Sequence, residues 1–151
     1  IIMSLLNHIQ QTIMAYLQAL PLFKDKIAIL SQAIFSLEDL LTFKTNASQP
    51  LQLWVSYPFP IQTAKHLSDP CWDLLTLSCT LIQKNLTKKQ EPFLDLAEQV
   101  SFALSHKRFS TEKWEGCFAL TEKQPWEWLT LKNRTALKIN FLSHNFNIRF
   151  Q

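Results

Sequence analysis

The chain has 151 residues, of which 47% are apolar and 18% charged, with 11 Phe and 5 Trp. That is the size and make-up of one globular domain, and it excludes a disordered chain, which would be poor in aromatics. The single glycine, Gly116, excludes phosphate-cradling loops, which need several residues able to adopt positive φ close to a phosphate. The net charge of +3 is modest; its excess lies in residues 101–151, with eight Lys or Arg against four Glu, without the dense basic stripe of a dedicated nucleic-acid binder.

Residues 4–20 are expected to form a helix. Ser4 stands at its start, Pro21 just beyond its end, and Leu6, Ile9, Ile13, Tyr16, Leu17 and Leu20 share one face. Its polar face carries Gln rather than Lys or Arg, unlike a membrane-surface helix. The run 27–30 suits a short buried strand, and Leu37–Leu41 a helical turn. Residues 51–57 alternate as a strand and stop at Pro58-Phe59-Pro60, where ladder donors are missing. Residues 61–70 are expected to be a loop. Residues 71–84 predict a long strand with an oily face (Leu75, Leu77, Cys79, Leu81) and a Thr-rich, solvated face.

Residues 91–105 predict a second amphipathic helix, with Pro92 in its first turn and Phe93, Leu96, Ala97, Val100 and Leu104 as its core stripe. Short strands are expected at 114–122, 126–131, 135–142 and 145–150. A bend at Ser143–Asn145 accounts for a phase shift between the last two. The fold class is therefore α+β: one domain over 1–151, with a mainly antiparallel sheet of four to six strands packed by two helices.

Chemistry is sparse. His8, His66, His106 and His144 fall in no ligand or catalytic spacing. Cys71, Cys79 and Cys117 contain no CxxC, so neither a disulfide framework nor a zinc site is expected. Cys71 with His66 is the least implausible thiol nucleophile. Glu112, Glu115, Glu122 and Glu127 lie near tryptophans but read as solvent-facing residues. No enzymatic activity, metal or cofactor is expected. The residues left over are those of association: Tyr57, Phe59, Trp126, Trp128, Phe146, Ile148 and Phe150, aromatic or apolar side chains in loops and terminal strands.

The order of elements, carried by Leu5–Leu20, Leu51–Tyr57, Trp72–Gln83, Phe93–Leu104 and Ala136–Ile148, resembles the tail terminator and tail-completion (minor tail) proteins of tailed bacteriophages. The resemblance implies a non-enzymatic ring-former, usually sixfold, that caps a tail tube and joins it to the head connector. It implies assembly in the bacterial cytoplasm and residence in a virion or tail-like particle, with tail tube and connector proteins as partners and no membrane. The alternative is a monomeric adaptor or effector module of a secretion or injection system.

Overall fold

A computed structural model describes residues 2–21, 28–31, 51–56, 58–61, 74–84, 91–131 and 134–149. The fold is α+β: two helices on a mainly antiparallel sheet, with a small second sheet at one end. Helix α1 spans Ile2–Ala19 and α2 spans Glu91–Ser105; the strands are β1 (Ala28–Ser31), β2 (Leu51–Val55), β3 (Phe59–Ile61), β4 (Leu74–Lys84), β5 (Arg108–Ser110), β6 (Trp114–Cys117), β7 (Ala119–Leu120), β8 (Trp126–Leu131), β9 (Arg134–Ser143) and β10 (Asn147–Ile148). α1 starts before Ser4, so Ser4 is inside the helix and is not its cap. The expected turn at Leu37–Leu41 and the stretch 62–70 lie outside the described residues.

Seven strands make the large sheet in the order β1-β2-β4-β9-β7, with β3 also on β4 and β8 also on β9. The expected four to six strands become seven because two outer strands are broken. β2 and β3 pair with successive parts of β4: Val55 faces Cys79 and Phe59 faces Thr76. Between these two pairs the β2–β3 side is one residue longer than β4, a bulge. Ser56 repairs it, since its N–H donates to the Ser78 carbonyl and its Oγ accepts from the Ser78 N–H, each at 3.0 Å. So Pro58 interrupts pairing without ending it, and Phe59–Ile61 form a strand, not part of a loop.

β7 and β8 are related in the same way on β9. Leu120 faces Phe141 and Trp126 faces Ile139, so residues 121–125 loop out opposite Asn140. Asn140 pins the loop: its N–H donates to the Pro125 carbonyl at 2.8 Å and its side-chain amide to the Gln124 carbonyl at 3.0 Å. Gln124 takes a positive φ of 52°, a role glycine usually fills.

Both helices cover one face of the sheet, α1 over β1 and β2, α2 over β7 and β9. Ile9, Ile13 and Leu17 of α1 and Ala97, Val100 and Leu104 of α2 join Leu53, Val55, Leu75, Leu77, Cys79, Leu81, Leu137, Ile139 and Phe141 in a single core. Gln10, itself buried, donates through Nε2 to the Val55 carbonyl at 2.8 Å and so satisfies its own polarity. The opposite face is half-buried at Thr76 and Ser78, as alternation predicts. At Gln52, Trp54, Thr80, Ile82 and Ala136 it is fully buried, so the expected solvated face covers only part of β4.

The small sheet has the order β10-β6-β5. β5 is an element the sequence pattern did not announce, and residues 114–122 are not one strand. β6 belongs to the small sheet and β7 to the large one, with buried Phe118 at the crossing. The chain crosses back after β9, at the expected bend. Asn145 ties the two crossings together, its Oδ1 accepting from the Cys117 N–H at 3.1 Å. Gly116 lies beneath: a Cβ there would be 3.2 Å from Phe146 Cα. The one glycine is needed where two backbones pass closely.

Candidate interaction surface

Three large apolar side chains are exposed among the described residues: Phe59 at 65%, Phe102 at 66% and Trp128 at 49%. Two of them, Phe59 and Trp128, are among those expected from sequence to mediate association. The others fall differently. Tyr57 and Phe150 lie outside the described residues. Trp126 is half-buried against the core, and its Nε1–H donates to Ser101 Oγ of α2 at 3.0 Å. Ile148 is half-buried, packs on the core and pairs with Trp114 in the small sheet. Phe146 is buried, its ring 5.6 Å from that of Trp114. The tail strand's apolar side chains at 146 and 148 therefore pack inward, because the chain turns a corner and brings them under the aromatic cluster of Phe109, Trp114 and Phe118.

Among the described residues, strand β8 bounds the large sheet on the side away from β4. Its backbone orientation follows from one bond. Asn140 N–H donates to the Pro125 carbonyl, and antiparallel ladders alternate. So Glu127, Leu129 and Leu131 point their backbone groups at β9, while Trp126, Trp128 and Thr130 present theirs to the outer edge. Trp128 shares its face with Trp126, the face that α2 covers. On the far side of the sheet the outermost of the described strands is the four-residue β1, which runs parallel to β2. The two edges are thus unlike in length and polarity.

Among the described residues, several titratable groups make structural contacts. His8 is not a free surface residue of α1: its Nδ1 accepts from Trp114 Nε1–H at 3.1 Å. Burial, aided by the Lys113 charge, lowers its pKa below 6.5 and keeps the ring neutral, as that acceptor role requires. Glu115 accepts from Arg149 at 2.7 Å, and this bond and charge lower its pKa. The same guanidinium donates to the Thr111 carbonyl at 2.8 Å and to Ser110 Oγ at 3.1 Å, clamping the β5–β6 hairpin to the tail. Burial pushes the Cys79 thiol up to about 12. Glu112 and Glu122 are exposed, and Glu127 is half-buried, standing opposite Lys138 in the β8–β9 register. His66 and Cys71 lie outside the described residues. Among the described residues, no three His, Cys, Asp or Glu side chains are grouped to hold a metal. No helix there is long and apolar enough to cross a membrane.

Comparison with protein-family models gives no match, and comparison with curated proteins gives none either. Two features are not visible in the residue pattern as first read. The His8–Trp114 bond joins positions 106 residues apart, and nothing local announces it. Phe102 did carry a signal, since it falls off the Phe93–Leu96–Val100–Leu104 stripe and so had to face outward.

Proposed function

We propose that this chain is a structural assembly protein whose subunits associate through sheet edges, and, more finely, a ring subunit of the tail-terminator kind that closes a tail tube and meets the head connector. The observation that carries this reading is the β8 edge. It is six residues long, free of proline, and among the described residues turns the backbone groups of Trp126 and Thr130 away from β9. An unbroken edge of this kind is a template for another strand. Unlike edges at β8 and β1 favour a head-to-tail contact, which closes into a ring when the rotation between subunits permits. The order of elements supports the finer reading.

Light scattering coupled to size exclusion, with native mass spectrometry, tests it. The wild-type chain is expected as a closed oligomer. Thr130→Pro removes an outward donor and no bond to β9, so this variant should fold and be monomeric. A wild-type protein that stays monomeric at the highest attainable concentration, or a Thr130→Pro variant that assembles unchanged, sinks the reading. The monomeric outcome would favour an adaptor that takes a partner's strand at the same edge.

A further inference from the structure

Between the end of α1 and the outer face of α2 lies an open groove of about 420 Å³, lined by Leu20, Pro21, Glu98, Gln99, Phe102 and Ala103. That volume is within the ~300–1,000 Å³ of ordinary ligand clefts. The two helices are tied together beside the groove, where Tyr16 Oη–H donates to the Ala103 carbonyl at 3.1 Å. Its wall is the Phe102 ring, which is 66% exposed yet not loose. The ring stacks on His106 at 4.0 Å between centroids, and His106 is anchored through Nδ1 to the Phe102 carbonyl at 3.0 Å. An aromatic already held in place costs little entropy to bind, which is the condition for an interface anchor.

The charge on the outer side of this wall is acidic, while the Lys107 ammonium is turned over the Tyr16 ring, 5.4 Å from its centroid. Glu98 lines the groove, and Asp95 lies one turn before it on the same face of α2. Both are exposed, and the ion pairs among the described residues involve neither. An acidic, apolar groove between two helices matches an amphipathic segment with apolar anchors at helical spacing and Lys or Arg beside them. We infer that the α1–α2 groove is a docking site for a basic amphipathic helix of a partner protein, with Phe102 as the apolar anchor and Glu98 and Asp95 selecting the charge. This site is separate from the β8 edge and does not depend on ring formation.

The test uses two designed amphipathic helical peptides as probes, one of Leu and Lys and its twin of Leu and Glu. Each is titrated into the isotope-labelled full chain and followed by amide chemical shifts and fluorescence anisotropy. The Lys peptide should shift the amides of Leu20, Gln99, Phe102 and Ala103 and bind at least tenfold more tightly than the Glu twin. Phe102→Ala, an exposed change that leaves the core intact, should weaken it about tenfold. Glu98→Lys should narrow the Lys-over-Glu preference severalfold while leaving the apolar anchoring in place. Equal binding of both peptides overturns the inference, as do shifts centred away from the groove or affinity unchanged in Phe102→Ala. Self-association that Phe102→Asp abolishes would also overturn it, by assigning the groove to a second copy.

Discussion

Replacing Gly116 by alanine probes the corner where the two sheets meet. The added methyl would sit 3.2 Å from Phe146 Cα, and 3.5 Å from both Phe146 Cδ2 and Ser143 Oγ. Carbon atoms prefer ~3.5–4.0 Å, so the Phe146 backbone must retreat by a few tenths of an ångström. That backbone is tied down on either side: Asn145 is bonded to Cys117 and Ser143, and Asn147 and Ile148 are paired to β6. Overpacking a site that cannot yield costs about 1–3 kcal/mol. Gly116 has no positive φ, so alanine also gains ~0.4–1 kcal/mol by restricting the unfolded chain. The first effect wins, leaving a net loss of about 1–2 kcal/mol. At this chain length that lowers Tm by roughly 2–8 °C. Urea and thermal unfolding followed by circular dichroism measure it. Phe146→Leu in the same background separates ring from backbone. It replaces the rigid ring by two δ methyls that can turn away from the new methyl and leaves the backbone crowding unchanged, so it should not rescue Gly116→Ala. An alanine variant as stable as wild type, or full rescue by Phe146→Leu, would refute the account.

Three further outcomes follow from the polar groups. The lowered His8 pKa means that the folded chain resists protonation there. The stability from this group is present above about pH 6.5 and is lost as pH falls through the lower folded value. Tm should therefore drop more steeply between pH 7.5 and 5 in wild type than in His8→Gln, which keeps an acceptor without a proton to gain; matching slopes would exclude His8 as the cause. Trp126→Phe keeps the ring against the core but removes the donor to Ser101 Oγ, so unfolding should become easier by about 1 kcal/mol. A loss several times larger would mean that the indole's packing, and not its hydrogen bond, holds α2 to β8. Cys79 is fully buried with its pKa pushed up to about 12, so its alkylation at pH 8 should track global unfolding in urea. Modification of Cys79 in native buffer, read by peptide mass mapping, would contradict that burial.

The elements that the sequence disclosed are those whose side chains repeat on a single face. α1, α2, β4 and β9 were legible because each packs one stripe on the core, as Ile9–Ile13 and Val100–Leu104 do. What escaped was set by pairing across distance. β3 was hidden because Pro58 and Pro60 look like a strand's end, yet Ser56 carries the ladder past them through a side-chain oxygen. β6 and β7 read as one strand because alternation continues through Phe118, while the hydrogen-bonding partner changes there from β5 to β9. The association residues divided for the same reason. An aromatic in a terminal strand looks exposed until the corner at His144–Asn145 turns Phe146 beneath Trp114.

The distribution of interruptions bears on assembly. A sheet edge is protected when a proline, a bulge or a short strand spoils its ladder. Along β4, the outer pairing is broken at Ser56–Pro58, and β3 holds Pro60 among its three residues. Along β9, the pairing is broken at 121–125, and β7 is only two residues long. β8 has neither device. Its only charged residue is Glu127, and that residue's backbone turns inward to β9, opposite Lys138. The outward positions instead include Trp126 and Thr130, residues that favour strand pairing. Uneven protection of this kind is costly to a protein that must stay single, because an open edge invites association. It suits the proposed head-to-tail pairing of β8 with β1. Inserting one residue after Trp128 would test this, because a shift of register by one exchanges inward and outward backbone groups. Such a chain should keep its helices by circular dichroism and lose its oligomer; an oligomer of unchanged mass would place the interface elsewhere.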